Sequence, residues 1–284
     1  MADLLTQYEP AICAVSTYLA IFGIAHVAKM AADRGLKRGT RIHTFALEFI
    51  TALQMCTCVF ENGVIIGDYG LLGFFIAVSL LLTAAGFTNR GYFGHILGHL
   101  EQLVAGRTHL IDFATVLLGQ VLGSALALKS ATFLWYFTAN LSKSHTRLLG
   151  ANLCAFNVQY PLNTIMCLEA VGCGLLRFFI GQFTKTTWRR RYVIPVIVTG
   201  HLTACLRFIG LAGLNPMTAY ARLAMCEGLD DVHFFYVYWA AAAVGWLFGA
   251  HIQSSFDSWW SGKARKEPAV EKKKEQNKND KKKK

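Results

Sequence analysis

An all-helical, multi-span membrane protein built as an inverted repeat is the fold class this sequence predicts. Three observations predict it. The 284 residues are 54% hydrophobic, and several apolar runs approach or exceed the roughly 20 residues needed to cross a hydrocarbon core of about 30 Å. Two carboxylates, in Leu47-Glu48 and Leu168-Glu169, lie well inside such runs, where charge is expensive and usually functional. Finally, Asn215-Pro216 opens a segment too short to span, between two full-length runs. An Asn cap with Pro at the first helical position is a helix start. A capped half-helix there puts its positive end inside the membrane. On its own, the same dipeptide also fits a surface turn.

The spans follow in order. Ile12 to Met30 is the first, with Lys29, Arg34, Lys37, Arg38 and Arg41 at its end or just beyond. A cleavable signal peptide carries its charges first, so this run is expected to stay as a helix. His43 to Phe60 is the second span and contains Glu48; Glu61 and Asp68 are expected to bound a short loop. Gly70 to Phe87 is the third. Gly91 to Gly106 is less apolar and holds His95, His99 and Glu101. Asp112 to Tyr136 is the fourth, with Gly119-x-x-x-Gly123, a close-packing pattern in membrane helices. A polar connection with the sequon Asn140-Leu141-Ser142 follows. Pro161 to Phe183, Tyr192 to Gly210 and His233 to His251 complete seven spans, the last with Gly245-x-x-x-Gly249.

Charge orients them. With the N-terminus outside, the basic loops 29–41 and 185–191 and the C-terminal tail all face the cytosol, while the acidic loops and the sequon face away. The tail from Lys263 holds eleven Lys/Arg against four Asp/Glu, so seven of the eleven net positive charges lie outside the membrane body. The basic balance is therefore a tail property and does not indicate nucleic acid. The tail is expected to be disordered, either solvated or drawn to anionic lipid. The eight cysteines lie mostly in apolar runs and read as small buried hydrophobes rather than a disulfide set. His95 and His99 are one helical turn apart, but the other seven histidines are scattered, which disfavours a membrane metal enzyme; no metal or cofactor is implied.

Spacing exposes the repeat. Glu169 to Asn215 is 46 residues, and 47 residues beyond Glu48 lies His95, in the other segment too weak to span. A Gly-x-x-x-Gly span follows each. Three crossings separate the two units, so they are inverted relative to one another. Inverted repeats set their half-helices face to face at the midplane.

At these residues the chain resembles the aquaporins, and among them the superaquaporins. Asn215-Pro216-Met217 resembles the family's Asn-Pro-Ala motif, and His43 to Gln54 resembles the subfamily's Glu-bearing helix. Cys226, nine residues after Met217, and His233 to Trp239 carry the rest. The resemblance covers about residues 12–255 and implies three regions. These are an N-terminal span with a basic cytosolic loop (1–42), a channel domain (43–255) and a Lys-rich tail (256–284). It implies a homotetramer in membrane lipid, with a pore lined by Asn215, Pro216, Met217, His95, Ile96, Leu97, Thr218, Thr203 and Phe75. Glu48 and Glu169 are expected to satisfy backbone groups of the re-entrant loops. Cys226 is expected to pack as a small apolar side chain.

The departures matter as well. His95-Ile96-Leu97 stands where the first motif belongs, Thr218 where most members have arginine, and Thr203 where many have histidine. The constriction is thus wider and less polar, and strict water selectivity is not implied. Neutral His95 is expected to imitate an Asn cap. Two functions remain open: a passive pore for water or small neutral solutes such as glycerol or peroxide, and a non-conducting membrane protein with a structural or interaction role. Lys281 and Lys282, third and fourth from the end, resemble a cytosolic dilysine signal read by a coat-protein receptor. That points to the endoplasmic reticulum, with the plasma membrane as the competing location.

Overall fold

The computed structural model describes residues 2–260 apart from Phe93, Asn152, Ala155, 157–159, Lys185 and Ala212, with backbone alone for 2–7. The Lys-rich segment 261–284, including Lys281 and Lys282, lies outside the described residues. Six helices are long and apolar enough to cross a membrane. They are α1 (Ala2–Gly35), α2 (Arg41–Thr88), α4 (Leu110–Thr138), α6 (Leu162–Phe183), α7 (Arg189–Ile209) and α9 (Asp231–Trp260). Three short helices intervene: α3 (Ile96–Val104), α5 (Lys143–Leu149) and α8 (Pro216–Leu223). The chain is thus an all-helical, multi-pass membrane protein, as its sequence predicts.

Helix α2 departs from expectation. Its 48 residues correspond to about 72 Å of helix, more than twice the hydrocarbon thickness. Gly70, at φ 64° and ψ −164°, breaks it into arms that match the second and third expected spans. The loop expected between Glu61 and Asp68 is helical instead. The Glu61 carboxylate is not free for water: it accepts from Trp135 Nε1 at 2.6 Å and lies 2.9 Å from His145 Nε2. Val64 and Ile65 beside it are buried in a cluster with Ala14, Tyr18 and Ile21 of α1. A continuous helix keeps that backbone bonded while the Glu61 carboxylate meets partners from α4 and α5. At the other end of the chain, α9 runs five residues beyond the expected boundary at 255. Phe256 stacks on Trp260 and packs edge-on to Phe178, extending the apolar face.

The two Gly-x-x-x-Gly pairs perform the same task in each half. A Cβ on Gly119 would lie 2.8 Å from the Phe45 carbonyl, and one on Gly123 would meet the Phe49 carbonyl. A Cβ on Gly245 would strike the Ala170 carbonyl, and one on Gly249 the Gly174 carbonyl. Each pair therefore seats its helix directly on the backbone of the span that carries Glu48 or Glu169. Asp230 caps α9 by accepting from the Val232 and His233 amides at 3.1 and 3.0 Å. The His233 amide and ring hold its carboxyl below the usual carboxylate range. Asn140 is exposed in the turn after α4, whereas Ser142 of the same sequon is buried.

Candidate functional site

The two re-entrant loops meet through a pair of reciprocal contacts. His95 is the N-cap residue of α3 and Asn215 that of α8. Asn215 Nδ2 donates to the Gly94 carbonyl at 3.2 Å. His95 Nε2 lies 3.3 Å from the Leu214 carbonyl, which can only accept, so that nitrogen carries the proton. Each cap residue thus reaches the carbonyl just before the other cap. Gly94 and Leu214 both have positive φ, 61° and 55°. That left-handed turn aims each carbonyl across the junction, and a side chain on Leu214 pays about 1 kcal/mol for it. A Cβ on Gly94 would lie 3.4 Å from the Ala52 backbone, so α2 also sets this approach.

The caps themselves differ. Asn215 Oδ1 accepts from Met217 N–H at 3.0 Å, with Pro216 at the first helical position, as the sequence predicts. His95 makes no side-chain cap bond, which corrects the expected mimicry. Its ring tilts against Trp246, centroids 4.6 Å apart, and its one N–H goes to the opposite loop. An imidazole at this site is drawn to the aromatic face and the Leu214 carbonyl rather than back to its own helix.

The two glutamates also differ. Glu169 accepts from Gly213 and Leu214 N–H at 3.1 and 2.7 Å, as expected for a carboxylate that satisfies a re-entrant loop. Glu48, fully buried, is held by side chains instead: Gln120 Nε2 donates to it at 2.8 Å and His99 Nε2 lies 3.2 Å away. Residues Ile96, Leu97, Pro216 and Met217 are buried, and Ile96, Leu97 and Met217 belong to the central apolar cluster, so their side chains act in packing. Thr218 donates to the Asn215 carbonyl and Thr203 to the Thr199 carbonyl, each at about one turn of its own helix. Phe75 is half-buried on the second arm of α2.

Cys226 is not a free thiol. It forms a disulfide with Cys154, 72 residues away. Two backbone bonds draw the segments together, Phe156 N–H to the Glu227 carbonyl at 2.8 Å and Glu227 N–H to the Cys154 carbonyl at 3.3 Å. This tertiary pairing brings two cysteines into register that spacing alone does not relate. Of the six free thiols, Cys13, Cys56, Cys58 and Cys173 are buried, as expected, whereas Cys205 is half-buried and Cys167 is exposed. For a closed loop of that length the chain-entropy estimate is about 4 kcal/mol, an upper figure where a membrane already restrains the unfolded chain. Cys154→Ala, Cys226→Ala and the double variant are therefore expected to lose the same thermal stability. A double variant worse than either single would show that the thiols act separately.

Other groups carry the site without a motif to mark them. Arg177 of α6 grips Glu101 of α3 by two bonds, 2.6 and 2.8 Å, and Trp246 Nε1 donates to the same carboxylate at 2.9 Å. Opposite charges in two apolar halves were the available signal. Cys56 and Cys173 thiols point at the Met217 and Leu214 carbonyls, each at 3.6 Å. Two cavities, of about 320 and 180 Å³, each touch one of the half-helices, the first at His99 of α3 and the second at Tyr220 and Arg222 of α8. The larger is lined by Arg41, Thr44, His99 and Asp112, the smaller by Phe60, Tyr220, Arg222 and the disulfide.

Comparison with known proteins bears on this geometry. No protein-family model matches the chain. It is 33% identical over 245 residues to the putative aquaporin-10 of Caenorhabditis elegans, covering 86% of this chain and 87% of that protein. It is 23% identical to aquaporin-11 of Milnesium tardigradum over 70% of this chain and 71% of that one. With aquaporin-11 of Homo sapiens it shares 23% over 91% of this chain and 95% of the other. A glutamate-anchored Asn-Pro half-helix facing a second half-helix, and a relative of this identity over nearly the whole chain, agree: the chain belongs to the aquaporin family, a family of channels rather than enzymes, and is superaquaporin-like.

Proposed function

We propose that the chain is an intracellular pore that passes water, small neutral solutes such as glycerol and hydrogen peroxide, or both, by passive diffusion. The observation that carries this reading is the reciprocal contact of the two half-helix caps, which brings both positive helix ends to one point. Helix ends of that sign oppose cations, while the second amide N–H of Asn215, beyond the one given to Gly94, faces the Met55 sulfur at 3.7 Å, a weak acceptor that a neutral solute can displace. In this reading residues 43–255 form the channel and 256–284 a cytosolic tail. Asn215, His95, Thr218, Thr203 and Phe75 meet the solute, and Pro216, Met217, Ile96 and Leu97 form the packed wall behind them. The solute panel to measure is water, glycerol and peroxide uptake in proteoliposomes. Uptake of at least one above protein-free vesicles, with no ion conductance, is expected; ion conductance would overturn it.

A second reading, an aquaporin-fold protein that does not conduct, is favoured by the direct bonding of the two loops and the burial of Ile96, Leu97 and Met217. Equal uptake with and without protein for all three solutes would select it.

The same proposal places the protein as a homotetramer in the endoplasmic reticulum, with the basic loops cytosolic and Asn140 lumenal. Changing Lys281 and Lys282 to Ser is expected to release it to the cell surface. An unchanged location would remove the coat-receptor reading. A protease-accessible tag at Asn140 in sealed microsomes would reverse the orientation.

A further inference from the structure

We propose that α1 is a positioning part of the channel, with Lys29 and Asp33 fixing the turn from which the first re-entrant loop departs. Lys29 is 1% exposed, and its ammonium donates to Gln54 Oε1 at 2.8 Å and Asn89 Oδ1 at 2.6 Å. Both partners are neutral amides. Among the described residues no carboxylate pairs with this charge directly, and an apolar side chain would pack the same interface at lower cost. What the ammonium adds is geometry: it ties the middle of the first arm of α2 to the residue at which the second arm ends.

Asn89 is the C-cap of α2, and its carbonyl accepts from Tyr92 N–H at 2.9 Å. The two residues inside that turn, Arg90 and Gly91, have φ of 54° and 91°. Arginine in the left-handed region costs about 1 kcal/mol, and such a residue persists where its surroundings hold it. The hold is visible. Arg90 pairs with Asp33, one turn beyond Lys29 on α1. Asp33 also lies 2.9 Å from His43 Nε2 at the start of α2 and 3.6 Å from Arg38. Two side chains of α1 therefore grip consecutive residues of the turn. Only a few residues later come Gly94, whose carbonyl receives Asn215, and His95. The register of the first loop against the second is set from this clamp. Its link to conduction rests on the junction being the passage, as proposed above.

The test uses the full chain with Lys29→Met and Asp33→Asn, in nanodiscs for hydrogen exchange and in proteoliposomes for flux. Methionine keeps the unbranched apolar stem but loses both hydrogen bonds. Hydrogen–deuterium exchange is read over 86–104 and, as internal reference, over 216–223. Each variant is expected to raise exchange in 86–104 at least tenfold while 216–223 changes less than twofold, and to lower any solute flux several-fold. A uniform rise over both segments, or no rise, in both variants would overturn the proposal. If Lys29→Met is not recovered folded, Asp33→Asn decides, because it keeps the side chain's shape while losing the charge and one of the two acceptor oxygens that hold His43 and Arg90. Should the unmodified protein carry no flux, the exchange pattern still decides the positioning role, so the two failures are distinguishable.

Discussion

Replacing Glu169 by alanine is expected to remove solute flux at least tenfold and to lower thermal stability sharply. Its two oxygens are the acceptors for the Gly213 and Leu214 amides, which lie in a dry setting with Leu214 only 2% exposed. Two orphaned buried amides cost about 1–3 kcal/mol each. The Leu214 carbonyl, on which His95 and Cys173 converge, moves with them. Glu169→Gln keeps one acceptor and is expected to fall between. Glu48→Ala is expected to be milder, because the groups it releases, Gln120 and His99, are side chains that can turn to other partners. Flux and melting midpoint across the four proteins check this. Equal damage from the two alanine variants would mean that the halves are anchored alike, contrary to the geometry.

Gly245→Leu is expected to give little or no folded protein. The Ala170 carbonyl occupies the space a Cβ would need, and backbone cannot step aside as a side chain tip can. Even Gly245→Ala forces α6 and α9 apart, an overpacking of about 1–3 kcal/mol. Gly23 in α1 is the control: nothing lies within 4 Å of a Cβ there, so Gly23→Ala is expected to be neutral or to stabilise by roughly 0.5–1 kcal/mol. Yield of monodisperse protein on size exclusion, with melting midpoints, checks both. A well-behaved Gly245→Leu protein would show that this helix crossing is looser than described.

The architecture was legible because each of its signals is local. Apolar run length marks spans, Asn215-Pro216 marks a helix start, and the Gly-x-x-x-Gly pairs mark close crossings; all three are properties of consecutive residues. The inverted repeat was legible because it multiplies such signals by spacing. What escaped depends on pairing across the fold. The Cys154–Cys226 bond needs two segments brought together by a backbone pairing that no spacing announces. The helix through 61–69 forms because Glu61 finds Trp135 and His145, partners 74 and 84 residues away. His95 was placed rightly at the start of a half-helix, but its side chain direction is set by Trp246 and Leu214, both far along the chain. Asn89, which no sequence motif marks, is an acceptor for Lys29, 60 residues away.

The measurement that tests the central account most directly is stopped-flow permeability of vesicles holding the unmodified chain or Asn215→Leu at equal incorporation. Leucine removes both the cap on Met217 and the bond to Gly94, while Asn215→Asp keeps the cap oxygen and adds charge at the junction. The account predicts that the unmodified chain raises permeability to water or another small neutral solute above empty vesicles, and that both variants return it to the baseline. Permeability that is raised by the unmodified chain and unaltered by either substitution would contradict a passage at the meeting point of the two half-helices.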